Sequence, residues 1–405
     1  MDDAVIARWR LRNQHLIAPL AGSAAEVVSG LLAVQAENPS QSAWAVAART
    51  TSPDPADLAG LLASGEVVRT HVLRPTWHYV ARADIDWLLA LTGPNLRRIT
   101  NTQLLGDLAL TGDDIDRLGA AVLDLLAATP DRTREEVAAA LRERVPDLAE
   151  RVTGRLVMLL MAHLEMDRLV SSGKPREDNH TYATYADRVG TRVPPETFDR
   201  DQALARLALH YFTSHGPATV KDLAYWATLT VGDTRRGLDE VQDRLESFEH
   251  DGRTYWHAPG EPPQGPGHPV GHLLQLLDET YRGYQDSRWV LDARGVVPRA
   301  RERAIGIALV DGQLVAAMKR ILTPARVRFE LTPHRPLSVG EQQALDDASE
   351  RYGGFLRRPA EIVVAGLGRD RSATQHETPG GPASRGRTPD HHSLPGPRGV
   401  VGCRR

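Results

Sequence analysis

The sequence predicts a mainly α-helical chain with small β elements: helices in sets of three, each set followed by a short strand pair, and a more β-rich region near the C-terminal end. Three observations predict it. Helix starts carry capping boxes, the apolar residues between them recur at helical spacing, and the period changes to two beyond a Pro/Gly-rich linker. The boxes are Ser23-x-x-Glu26, Thr133-x-x-Glu136 and Ser338-x-x-Glu341, with Thr219-x-x-Asp222 a weaker fourth. Asp54, Pro55 and Asp57 supply a cap, an N1 proline and an acidic first turn for a helix ending at Gly65.

In chain order, helices are expected at about 24–34, 40–48 and 55–64, ahead of strands within 66–80. The second set falls at about 114–128, 133–144 and 154–169, before a polar segment reaching Val189. Its third member, with Leu156, Leu159, Leu160 and Leu164 joined by Val157, Met158 and Met161, is apolar nearly all round, as in a buried helix. The third set falls at about 200–214, 219–227 and 233–246, before strands within 248–257. Three short helices and a β-wing are the winged-helix plan, a relative of the helix-turn-helix whose third helix commonly enters the major groove; an ordinary helical bundle is the alternative. Pro262, Pro263, Gly265, Pro266 and Gly267 mark a linker. Beyond it, Ile305 to Val310, Asp311-Gly312 and Leu314 to Met318 read as a β-hairpin, and Val327, Phe329 and Leu331 alternate with Arg326, Arg328 and Glu330 as a strand with one buried face. A last helix is expected from Val339 to Tyr352. The expected domains are therefore winged-helix modules at 1–110, 111–195 and 196–260, a C-terminal β-rich domain at 261–365, and a disordered tail at 366–405 made largely of Gly, Pro, Arg, Ser and His.

Composition narrows the function. There is no run of about 18 apolar residues and the start, Met1-Asp2-Asp3, is acidic, so neither a membrane span nor a signal peptide is expected and the protein is placed in the cytoplasm. The one cysteine, Cys403, lies in the tail, which excludes a disulfide framework, a cysteine-based zinc site and a thiol nucleophile in the body. Net charge is −3, and the last 37 residues hold seven Arg against Asp370, Glu377 and Asp390, which leaves the remainder near −7. Any affinity for DNA then rests on basic residues gathered on one face, not on mean charge. No phosphate loop with its lysine and no dinucleotide fingerprint is present, so no cofactor is expected. No metal is expected either: His71 and His78 flank Pro75, and His163 and Glu165 do not share a helix face.

The chemically informative stretch is Leu31-Leu32-Ala33-Val34-Gln35-Ala36-Glu37-Asn38-Pro39-Ser40-Gln41. It reads as an apolar helix delivering an amide and a carboxylate onto a turn that Asn38-Pro39 makes non-helical. Gln35 and Glu37 are then either a solvated helix end, or a water-orienting amide beside a general base or electrostatic stabiliser. Asp278 and Glu279, adjacent in sequence, read as a brace for the C-terminal domain.

The run Val34-Gln35-Ala36-Glu37-Asn38-Pro39, then Val68-Arg69-Thr70-His71-Val72-Leu73-Arg74-Pro75-Thr76-Trp77-His78-Tyr79-Val80, then Gly216-Pro217-Ala218-Thr219-Val220-Lys221-Asp222-Leu223, resembles the AlkZ/YcaQ-like winged-helix DNA glycosylases over about residues 5–357. Leu277-Asp278-Glu279 with Tyr284 also looks like a segment of that family, and the hairpin at Asp311-Gly312 falls where the family has its C-terminal β region. The resemblance implies tandem winged helices with a barrel-like domain around a concave DNA-binding surface. It also implies excision of N-alkylated purines and, in some members, of crosslinked bases. The family's motif of Gln, a hydrophobic residue and Gln or Asp maps onto Gln35-Ala36-Glu37, where Glu departs from both forms by length or charge. The reaction implied is glycosidic hydrolysis by a monofunctional enzyme: alkylation makes the purine a cationic leaving group, so Glu37 and Gln35 need only stabilise an oxocarbenium-like sugar and direct water to C1′. Arg69, His71, Arg74, Thr76 and His78, on the expected first wing, and Arg235 and Arg236, on the third helix of the third module, become candidate DNA contacts, with structural hydrogen bonding or a solvated face as the plain alternative. The expected partner is damaged double-stranded DNA, met by a monomer without an obligate protein partner. The rival reading is a noncatalytic winged-helix regulator or lesion binder in which Gln35 and Glu37 are structural; no dimerisation heptad supports a regulator.

Overall fold

Side-chain caps set most helix starts in the computed structural model, which describes residues 1–365 apart from 177–178, 191, 193, 195–196, 266 and 299–305; Ile305 and the expected tail lie outside the described residues. The chain opens with α1 (Asp3–Asn13), capped by Asp2, and α2 (Ala24–Leu31), capped by Ser23. Then come β1 (Ala33–Gln35), α3 (Pro39–Ala47), α4 (Pro55–Ser64) between its Asp54 cap and left-handed Gly65, and the strands β2 (Val67–His71) and β3 (Trp77–Ala81). A long α5 (Arg82–Asn101) leads into α6 (Gly112–Ala128), β4 (Arg132–Thr133), α7 (Arg134–Arg144) and α8 (Gly154–Met166), followed by β5 (Val170–Ser172), β6 (Thr181–Thr184) and the single turn α9 (Tyr185–Arg188). The third set is α10 (Arg200–Ser214), α11 (Val220–Ala227) and α12 (Val231–Asp239), with the hairpin β7 (Glu246–His250) and β8 (Arg253–His257). The C-terminal region contains β9 (Gly271–Gln275), α13 (Glu279–Arg282), β10 (Gly306–Val310), β11 (Gln313–Leu322), β12 (Val327–Pro333), α14 (Val339–Leu356) and β13 (Ala360–Val364).

The protein is mainly helical with smaller sheets, as the sequence predicts. Three helices stop short of their expected ends. The helix expected to run to 34 stops at Leu31, because Leu32 takes φ +67° and Ala33–Gln35 pair with β3 instead, Gln35 opposite His78. Both sides of β1 are buried, Leu32 and Ala33 in one core and Val34 and Ala36 in another, and a run buried on both sides has the same apolar look in either conformation. The helix expected to reach 169 stops at Met166, where Arg168 at φ +56° turns the chain into β5. The helix expected to reach 246 stops at Asp239, and Glu246 already belongs to β7.

The C-terminal strands form one sheet in the order β13-β12-β11-β10-β9, antiparallel except for the β12–β13 pair. Among the described strands it is open, with β9 and β13 as its edges, not a closed barrel. Its apolar face meets Leu345, Tyr352 and Phe355 of α14, and Ile6, Leu11 and Trp44 from the N-terminal segments.

Buried polar groups tie the N-terminal residues to that region. Arg49, just past α3, pairs through Nη2 with Asp278 at 2.8 Å with both side chains fully buried, and the same nitrogen donates to Gln14 Oε1. Arg10 of α1 donates to Pro217 O and to both the carbonyl and hydroxyl of Ser287. Removing one partner of a buried pair strands the other charge, so Asp278→Ala is expected to lower unfolding stability by about 3–5 kcal/mol. Urea denaturation checks this; Asp147→Ala, which breaks the solvent-exposed pair with Arg117, should hardly move the midpoint.

Candidate active site

β1 is an edge strand of the sheet β1-β3-β2, so the N–H of Gln35 points away from β3 and needs another acceptor. It donates to Glu279 Oε1 at 3.0 Å. The next peptide is held from both ends: Ala36 N donates to Trp77 O at 2.7 Å, and Ala36 O accepts from Arg69 Nε at 3.0 Å. The guanidinium carbon of Arg69 stands over the Trp77 ring, 4.2 Å from its centroid. The motif is thus fixed at successive backbone atoms before its side chains are considered.

Gln35 is buried and Glu37 is exposed. Glu37 N donates to Gln35 Oε1 at 3.2 Å, which occupies the carbonyl end of that amide and leaves Nε2 as a donor without a hydrogen-bond partner among the described residues. Glu37 Oε2 accepts from Trp77 N at 3.2 Å, so one oxygen anchors the carboxylate and the other remains open. An anchored carboxylate beside an amide donor can hold one water by two different hydrogen bonds.

Behind Gln35 lies a buried charge network. Glu279 is 1% exposed and its Oε2 accepts from Trp226 Nε1 at 2.9 Å and faces His215 Nε2 at 3.4 Å, while Arg74 Nη2 stands 3.8 Å from Oε1. Burial alone would push this carboxyl up, but the His215 hydrogen bond and the Arg74 charge hold it down at about 2. Arg74 also donates to Arg282 O at 2.7 Å and to His78 Nε2 at 3.3 Å. His78, fully buried, is pushed down to about 3, by burial first and by Arg74 second; it stays neutral, with Nδ1–H donating to Thr76 O at 2.9 Å.

Gln35, Glu37, Arg69, Arg74 and His78 therefore gather around one strand end. His71 turns away, its Nδ1 2.6 Å from Glu165 Oε2 on α8. Thr76 is half-buried, and its Oγ1 has no hydrogen-bond partner among the described residues. Arg235 and Arg236 are exposed on α12, the latter paired with Asp201 at 2.5 Å. Asp278 and Glu279 do not merely brace the C-terminal region: they grip Arg49 and Gln35, more than 200 residues earlier in the chain. Glu279, His215 and Trp226 were not legible as site residues; the only sequence signal was the Leu277-Asp278-Glu279 segment. Beside the motif a cleft of about 350 Å³ is lined by Pro39, Ala43, Leu58, Arg69, Tyr79 and His180, among others.

A family model described as DNA glycosylase AlkZ-like matches residues 28–355. An interstrand DNA cross-link repair glycosylase of Streptomyces sahachiroi is 24% identical over 376 residues, covering 88% of this chain and 97% of the relative. The solved structure of Streptomyces sahachiroi DNA glycosylase AlkZ matches with a TM-score of 0.72 at 20% identity, over 90% of this chain and 100% of that one, so the fold is shared.

Burial fixes how this region responds to acid. His78 and His272, both at about 3, and His215, lowered chiefly by burial, are neutral when folded but take up protons near pH 6.5 when unfolded. Their contribution is complete above pH 6.5 and is lost as pH falls toward 3; Glu279 adds a second loss between 4.5 and 2. Urea midpoints should therefore fall between pH 7.5 and pH 5, and a flat profile over that range would contradict the neutral buried imidazoles.

Proposed function

Because the chain belongs to the AlkZ-like DNA glycosylase family, we propose that it hydrolyses the N-glycosidic bond of N-alkylated purines in duplex DNA, crosslinked purines included, as a monofunctional enzyme without a cofactor. The observation that carries this reading is the pairing of an exposed, backbone-anchored Glu37 carboxylate with a Gln35 amide oriented as a donor. Gln35 Nε2 holds a water by its oxygen, and the open oxygen of Glu37 takes the water's proton as its lone pair attacks C1′. The electrons of the C1′–N bond leave with the purine and neutralise the positive charge that alkylation placed there, so no general acid is required. The Glu37 charge also opposes the positive charge that develops on the sugar. The inclusion of crosslinked substrates draws support from the Streptomyces sahachiroi relative, named for interstrand cross-link repair.

The helix sets with their strand pairs act as winged-helix modules at 1–110, 111–195 and 196–260, with 261–365 as the C-terminal domain. Arg235 and Arg236, exposed on α12, contact backbone phosphate. Arg69, His71, Arg74 and His78 are buried and already bonded to protein atoms; Arg69, Arg74 and His78 hold the motif in register against DNA, His71 is tied to Glu165, and Thr76 is left as the direct contact. The enzyme works as a monomer on nucleoid DNA in the cytoplasm; among the described residues no helix is long and apolar enough to cross a membrane.

The test is a duplex bearing one N7-methylguanine, scored for alkali-labile breaks under single-turnover conditions. Wild type should release the base, and Glu37→Gln should slow release by roughly 100-fold or more while leaving duplex binding intact. Tight binding of undamaged duplex without base release would instead make the protein a noncatalytic DNA binder.

A further inference from the structure

Several surface arginines are matched with carboxylates: Arg117 with Asp147, Arg155 with Asp107, Arg236 with Asp201. Two on the turn that carries Glu279 are not. Arg282 and Arg288 are half-buried, and neither makes an ion pair with a described residue. Both surround Tyr225 of α11. Arg282 donates to its phenol oxygen, while the guanidinium carbons of Arg288 and Arg74 stand 5.8 and 5.7 Å from its ring centroid. Three guanidiniums thus face one another across a single tyrosine, with Glu279, 3.8 Å from Arg74, as the nearby carboxylate.

The donors there are not all used. Arg288 turns Nε and Nη2 onto Tyr284 O, and no partner is recorded for Nη1. Arg282 Nε is buried without a hydrogen-bond partner. A buried N–H left unmade is costly, so such a group marks a place where an acceptor from outside is favoured. The field has the matching sign: burial would push the Tyr225 phenol up, yet Arg74, Arg288 and the Arg282 hydrogen bond hold it below its ordinary value. The cluster is also close to the motif, since Arg74 reaches Arg282 O with one nitrogen and faces Glu279, the acceptor for Gln35 N, with another.

We propose that Arg282, Arg288 and Tyr225, backed by Arg74, bind one phosphodiester group of the DNA backbone beside the reacting nucleotide. Two guanidiniums and a phenol supply donors of the kind a phosphate oxygen accepts, and the excess positive charge is concentrated beside the motif in a chain whose net charge is −3. The contact fixes where along the strand C1′ falls relative to Glu37. This inference rests on the glycosylase reading, but binding and base release test the two separately.

The experiment uses the full chain and a set of N7-methylguanine duplexes, each with one neutral methylphosphonate at a different phosphate flanking the lesion. Wild type should lose roughly tenfold in affinity or more at one phosphate position and little at the others. Arg282→Ala or Arg288→Ala should lose as much on the unmodified duplex, show no further loss at that position, and lower the slope of log affinity against log salt by about 0.9. Arg282→Lys should recover part of the affinity, and Arg326→Ala should preserve the positional effect; thermal melts identify any variant that fails to fold. Equal loss at every phosphate, or losses from variant and methylphosphonate that simply add, would overturn the proposal. Competition by inorganic phosphate without any positional effect would make the cluster a free-anion site and overturn it too. Absence of base release by wild type would remove the glycosylase reading alone, because the positional and salt effects are read from binding.

Discussion

A carboxylate with no access to water must find its compensation inside the protein, and at Glu279 that requirement organises everything around the motif. Its donors come from elements far apart in the chain: the Gln35 backbone on β1, the Trp226 indole on α11, His215 at the end of α10, and the Arg74 charge between β2 and β3. Any shift of one of these leaves a charge or a donor unmatched. The neighbouring Asp278 does the same with Arg49, so two successive residues fasten the N-terminal segments at two points. Buried ion pairs contribute little net stability, but they penalise alternative arrangements strongly, and here they act on the strand that ends in Glu37.

This explains why so few residues of the motif need be special. Hydrolysis of a cationic base asks for a fixed donor and a fixed carboxylate, and reorganisation during the reaction would weaken both. Gln35 and Glu37 receive their positions from the backbone of Ala36 and Trp77 and from Arg69. One Glu37 carboxylate oxygen is anchored on Trp77 N, which leaves the other oxygen's direction defined.

Much of the helical frame was legible because capping is local chemistry. Asp54 and Gly65 bracket α4, and the boxes at Thr133, Thr219 and Ser338 open α7, α11 and α14 where the sequence places them. Other elements were hidden for physical reasons. α5 was not among the expected helices; it runs through Gly93-Pro94, and Gly93 lies so near Met166 O that an added Cβ would stand 3.0 Å away. β1 was read as helix because both its faces are covered. Gln35 and Glu37 stood out as a pair of polar residues leaving an apolar run, whereas Glu279 matters through a hydrogen bond spanning 244 residues, which no local pattern encodes.

That span also bears on how the molecule is made. During synthesis from the N-terminal end, helices α2 and α4 can begin to form as soon as they emerge, since their caps, Ser23 and Asp54, are local. The outer edge of β1 must wait for residue 279, and until then its N–H stays solvated and the strand is held only by β3. The proposed catalytic pair is consequently among the last parts of the body to be completed, so a prematurely terminated chain that stops short of α13 carries the Gln-Ala-Glu sequence without the support that orients it.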